Sequence, residues 1–157
     1  MSVKLDNLDL KILDIISQDA RIPLSEVAER CGVSRAVVHQ RVGKLSDKKA
    51  ILGSGYHVNP QMIGYSTCTY VGINLEKGSM YNDVVECLRK IPQVVECHFT
   101  TGNYTMLIKL FAYDNAHLMD LLNNEIQQIN GVTSTETLIS LDESINRQLP
   151  IVFPKEE

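Results

Sequence analysis

The feature that most constrains this chain is a change of hydrophobic rhythm at Gly53-Ser54-Gly55. Before that break, apolar residues recur at helical spacing; beyond it, stretches with strand and helix rhythm alternate. Side chains return to the same face about every 3.6 residues in a helix and every second residue in a strand, so the two halves cannot share one repeating architecture. At 157 residues the chain can hold two small domains, which need roughly 50 residues each. We therefore expect a helical domain over residues 1–52, a linker over 53–65 and a mixed domain over 66–157. Within the linker, Tyr56-His57-Val58-Asn59-Pro60 reads as a short strand or hinge.

In the helical half, Leu8, Ile12, Ile15 and Ile16 fall on one face of a first helix, with Asp6 placed to cap it. Arg21-Ile22-Pro23 interrupts the pattern, because proline has no N–H to donate and restricts the residue before it. A second helix is predicted over Ser25–Cys31, with Val27, Ala28 and Cys31 inward. Gly32 suits the left-handed end of that helix, and Ser34 is placed to cap a third over Arg35–Lys48. Val38, Val42 and Leu45 form the inward stripe of the third helix. Helices this short are stable only when packed together, so the three form one unit.

Ser25 to Lys44 thus has the spacing of a helix-turn-helix, in which a bracing helix supports a second whose first residues enter the major groove of DNA. Ser34, Arg35, Ala36, His39 and Gln40 are the outward positions expected to face bases. Arg35 and Gln40 have the forked donors and acceptors that pair with guanine and adenine edges, and Ala36 fits a thymine methyl. Arg41 and Lys44 are expected on phosphates, which set register without reading sequence. Charge supports this placement. Residues 1–60 carry nine basic and seven acidic side chains, and the remainder six and twelve, although the whole chain is at −4. Between residues 30 and 49, Arg30, Arg35, Arg41, Lys44, Lys48 and Lys49 stand against Asp47 alone. Such a unit can also bind a protein partner, an alternative that salt discriminates, because DNA binding through several phosphates weakens steeply with salt.

The second half predicts strand, helix, strand, strand, helix, strand: Thr67–Leu75, Met80–Lys90, Val94–Thr101, Thr105–Phe111, Asn115–Ile129 and Val132–Ser140. At the end of each helix an isoleucine is followed by two residues and a strand-opening valine, at Ile91-Pro92-Gln93-Val94 and Ile129-Asn130-Gly131-Val132. The fold class is therefore α+β: a three-helix domain followed by a ferredoxin-like βαββαβ domain. Cys31, Cys68, Cys87 and Cys97 have no metal-ligand spacing and are expected as buried reduced thiols; the four histidines are equally scattered, so no metal or cofactor is expected. His98, Thr100, Thr101 and Tyr104 match no recognised catalytic spacing, so no enzyme is expected. No stretch approaches the ~18 uninterrupted apolar residues of a membrane span, so the expected location is the cytoplasm, away from membranes.

The combination of stretches resembles the leucine-responsive regulator / AsnC (feast/famine) family over about residues 5–145. It is carried by Leu5-Asp6-Asn7-Leu8-Asp9-Leu10-Lys11-Ile12-Leu13, Leu24-Ser25-Glu26-Val27-Ala28 with Gly32-Val33-Ser34, and Val38-His39-Gln40-Arg41-Val42 with Leu45. In the second half it is carried by Val94-Val95-Glu96-Cys97-His98, Thr101-Gly102-Asn103-Tyr104, and Gly131-Val132 leading to Thr135 and Thr137. The resemblance implies a winged-helix-like domain on operator DNA, a strand-bearing linker, and a second domain that dimerises through its sheets, with dimers commonly assembling to octamers. It also implies a small-molecule effector, in many members an amino acid, held between dimers around a Gly-x-Tyr-Asp turn and the last strand. The matching positions are Gly102, Asn103, Tyr104 and Thr105, with Thr135, Thr137, Leu138 and Ser140. Thr105 departs from the family's aspartate. Losing a carboxylate removes a charge-assisted hydrogen bond of ~1.5–3 kcal/mol, about tenfold or more in affinity, which leaves the effector's identity open.

Overall fold

The computed structural model describes residues 4–154. It divides the chain into two compact units, Met1–His57 with Ile145–Glu157, and Val58–Ser144.

The first unit is built on three helices, α1 (Asn7–Gln18), α2 (Leu24–Cys31) and α3 (Arg35–Asp47). Asp6 caps α1 through a reciprocal pair of bonds: its carboxylate accepts from the Asp9 N–H, and the Asp9 carboxylate accepts from the Asp6 N–H. Gly32 ends α2 in the left-handed conformation, at φ 68°, which a residue with a Cβ adopts only at a cost. Ile12, Val27, Ala28, Val38 and Leu45 are buried together, and Leu8, Ile15, Ile16 and Val42 pack around them. The inward stripes are those expected. Residues 53–65, expected to carry a short strand, carry none. Asn59 instead accepts the Gln61 N–H and starts a 3-10 turn at Pro60–Ile63, while Arg21 lies over the Tyr56 ring, 4.2 Å from its centre. Proline removes a ladder donor at this point, and an isolated extended segment needs a neighbour to pair with.

The second unit is a four-stranded antiparallel sheet of β1 (Thr67–Leu75), β2 (Val94–Phe99), β3 (Met106–Ala112) and β4 (Val132–Ser140), in the order β2-β3-β1-β4. The crossover helices are α4 (Tyr81–Leu88) and α5 (Asn115–Asp120). This is the ferredoxin-like arrangement. Val71, Ile73, Met106, Ile108 and Leu110 turn one face of the sheet into the core against Val84, Leu88, Leu118, Leu121 and Ile126. The second helix was expected to run unbroken to Ile129. It winds instead as a π-helix over Leu121–Ile126, with the Gln127 N–H donating to the Leu122 carbonyl at 2.9 Å. A five-residue step closes one such wide turn, so Leu121 and Ile126 reach the same core. The four cysteines are free thiols and half-buried rather than fully buried.

The alternation of the strands leaves the other face of the sheet without a helix. Register places Tyr70 beside Lys109 and Leu138, Cys68 beside Phe111 and Ser140, and Gly72 beside Leu107 and Glu136 on that face. Lys109 lies at its middle, 3.2 Å from Glu143 and 3.8 Å from Glu96, with its ammonium 5.7 Å from the Tyr70 and Phe111 ring centres. Burial pulls this amine down, but the bond to Glu143 and the neighbouring charge outweigh it and hold Lys109 above the ordinary lysine value.

Candidate nucleic-acid interface and effector site

The start of α3 is fixed by its cap. The Ser34 hydroxyl accepts the Val37 N–H at 3.3 Å, satisfying one of the amides that a helix N-terminus leaves without a partner. With Val38 and Leu45 buried behind it, α3 turns Ser34, Arg35, Ala36, His39, Gln40 and Lys44 to solvent. All six are side chains expected to meet DNA, and the structure brings them to the exposed side of a single rigid element.

Arg41, expected on a phosphate, also makes contacts within the domain. Its guanidinium donates to the Asp6 carboxylate and, at 2.9 Å, to that of Asp9. The bond from Arg41 and that from the Asp9 N–H hold the Asp6 carboxyl below its ordinary value, and both aspartates raise Arg41. Arg41 therefore ties the capping box of α1 to the middle of α3. Sequence reasoning missed this because its signal is a contact 35 residues apart.

In the second unit, Gly102 and Asn103 form the exposed turn between β2 and β3, and Tyr104 leaves it with its ring laid flat on β1. The ring is so close that a Cβ at Gly72 would lie 2.5 Å from Tyr104 Cγ, so only glycine admits it. The Glu136 carboxylate on β4 stands beside the Tyr104 phenol and, with burial, raises it above its ordinary value. Thr105, at the position of the family's aspartate, accepts the Leu75 N–H on its hydroxyl at 3.4 Å, while the Thr100 hydroxyl donates to the Tyr104 carbonyl at 2.8 Å.

The β4 positions do not gather with that turn into one pocket. Thr135 and Thr137 pair with Ile73 and Val71 on the helix-covered side, where the Thr135 hydroxyl accepts from Gln127 at 2.9 Å. Leu138 and Ser140 pair with Tyr70 and Cys68 on the open side. Glu136, absent from the expected site, is the β4 residue that stands beside the Tyr104 phenol. Its signal was available: an isolated glycine in an apolar strand marks a close approach, and Glu136 stands opposite Gly72. His98 lies 3.4 Å from Glu96 on the exposed surface, away from any catalytic grouping. Among the described residues, no cluster of three metal-ligating side chains occurs.

Residues 5–46 match the AsnC-type helix-turn-helix domain, and residues 68–150 match the Lrp/AsnC ligand binding domain. The chain belongs to the Lrp/AsnC family. It is 37% identical over 145 residues to the regulatory protein AsnC of Haemophilus influenzae, covering 92% of this chain and 97% of that protein. The structure of E. coli AsnC superposes with a TM-score of 0.87 at 35% identity, covering 94% of this chain and 99% of that one. The feast or famine regulatory protein from M. tuberculosis, solved in complex with L-methionine, gives 0.88 at 26% identity, covering 95% and 100%. Like these relatives, the chain is a transcriptional regulator and not an enzyme.

Proposed function

We propose that this Lrp/AsnC regulator reads double-stranded operator DNA with α3 in the major groove and adjusts that binding to a small metabolite sensed by its sheet domain. The observation that carries the reading is α3 itself: capped by Ser34, anchored through Val38 and Leu45, and presenting Arg35, Ala36, His39 and Gln40 at its N-terminal end. Those four with Ser34 meet bases and the adjoining backbone; Lys44 holds a phosphate, as does Arg41 to the extent that Asp6 and Asp9 release it. Residues 1–52 act as the DNA-binding part, 53–65 as the linker and 66–157 as the effector and assembly part. The protein works in the cytoplasm, where its operator lies; among the described residues, no helix is long and apolar enough to cross a membrane.

The open sheet face, with Tyr70, Phe111 and Leu138, supports a homodimer that places two recognition helices on half-sites ~34–36 Å apart or a multiple of that. Dimers associate further to an octamer, and the effector sits between them. Its site draws on Gly102, Asn103, Tyr104 and Thr105 and on Thr135, Thr137, Leu138 and Ser140. Because β4 is an edge strand, its outer edge is open to a neighbouring chain. An amino acid is the class of effector supported by the methionine complex of the M. tuberculosis relative. An effector regulates by this route only if it binds one assembly state better than another.

The test is a fluorescence-anisotropy titration against DNA upstream of the protein's own gene, with and without a pool of the common amino acids. Saturable, salt-sensitive binding altered by the pool is the expected result. Folded protein that binds no such DNA in either condition would overturn the reading.

A further inference from the structure

Between the N-terminus of α1 and the C-terminal half of α3 lies a shallow hollow of about 260 Å³, bordered by Lys4, Arg41, Lys44 and Lys48 and by Asp6 and Asp9. Its charges are unequally used. Arg41 is engaged by both aspartates, whereas Lys4, Lys44 and Lys48 are exposed and form no ion pair among the described residues. Four cations against two carboxylates leave the hollow with an excess of two positive charges. Lys44, in the last turn of α3, and Lys48, its C-cap, lie one turn apart at the same border of the hollow. Ammonium groups are compact point charges suited to phosphate, and they read no sequence.

We infer that this hollow is a phosphate seat for the backbone of the bound operator, with Lys4, Lys44 and Lys48 as its ligands and Arg41 as the residue that positions Lys4. Arg41 does so by fastening Asp6, two residues from Lys4, onto α3. The inference rests on α3 being the DNA-reading helix. Gln40, Lys44 and Lys48 follow one another at intervals of four, so successive turns lead from the proposed base contact to the hollow, and one duplex can span both. Of the three lysines, Lys4 and Lys48 lie outside the contacts expected from the motif, Lys4 because it precedes α1 altogether.

The test measures DNA affinity as a function of salt for the full chain carrying Lys4→Gln, Lys48→Gln or both. Neither side chain is packed, and equal melting temperatures confirm that the variants fold. Each neutralised phosphate contributes about 0.9 to the slope of log K against log salt. The double variant is therefore expected to lose nearly two from that slope, and to bind operator and scrambled duplex more weakly by the same factor, about tenfold or more near physiological salt. Lys90→Gln, in the sheet unit, removes a charge elsewhere and is expected to leave the slope unchanged. A double variant with the wild-type slope, or one that loses no more per charge than Lys90→Gln, overturns the phosphate seat. Should that happen while wild-type protein binds operator and Gln40→Ala alters its base preference, the seat alone is wrong. Absence of operator binding by wild-type protein removes the reading of α3 as well.

Discussion

Helix α3, proposed to read DNA, and the edge strand β4 are both elements to which the sequence assigns binding residues, and they distribute those residues in opposite ways. On α3 a buried stripe of Val38 and Leu45 leaves Arg35, Ala36, His39, Gln40 and Lys44 together on solvent. On β4 successive residues point to opposite sides, so Thr135 and Thr137 go with the core face and Leu138 and Ser140 with the open one. A helix can thus complete a recognition surface within one chain. A strand divides its residues between two faces, so no single surface of one chain takes in the whole set.

The most damaging way to probe this difference is Leu45→Ala. It empties the back of α3 and should cost about 2–5 kcal/mol, with hydrogen-exchange protection falling across α1 to α3 while β1 and β3 keep theirs. Equal loss of protection in both units would show that they unfold as one and would undo the comparison. Next comes Gly72→Ala, expected to cost about 1–3 kcal/mol because the new methyl meets the Tyr104 ring. Tyr104→Ala in the same chain should recover most of that loss in chemical denaturation. Additive losses would mean that the ring and the glycine are not in contact.

Gln40→Ala should leave stability unchanged while reducing discrimination at one operator base pair by about 1–3 kcal/mol, read from competition between operator variants. Unaltered preference would move the base-reading surface off this part of α3. The smallest effect concerns Asp6. Its carboxyl titrates lower when folded, held down by Arg41 and the Asp9 N–H. Its stabilisation is therefore complete above the ordinary aspartate range and is lost as pH falls through the lowered value. Asp6 is about half exposed, which limits the ion pair to less than about 1 kcal/mol. Asp6→Asn should flatten the acid limb of the stability curve below about pH 5 by that amount; an unchanged limb would mean that the pairing with Arg41 is not maintained in solution.

Much of the architecture was legible because local rules agreed with one another. The Asp6 and Ser34 caps, the Gly32 stop and the bounds of β1 and β4 follow from residues within a few positions of each feature. The misses have physical causes as well. Tyr56–Pro60 has the composition of a strand, but strand formation requires a pairing partner, and Pro60 begins a 3-10 turn. The second crossover helix was read with one helical period, whereas Leu118, Leu121 and Ile126 reach the core only through a wider turn.

Short-range chemistry in the sequence by itself determined the two-part organisation, the helix-turn-helix with its outward residues, and the order of strands and helices in the second unit, because periodicity, caps and turns act between near neighbours. Tertiary structure alone decided what Arg41 and Tyr104 do. The partners of Arg41 are at the start of another helix, and the ring of Tyr104 rests on Gly72 of β1 with Glu136 of β4 beside its phenol. Such contacts join positions about 30 residues apart, and packing sets those distances; no local pattern encodes them.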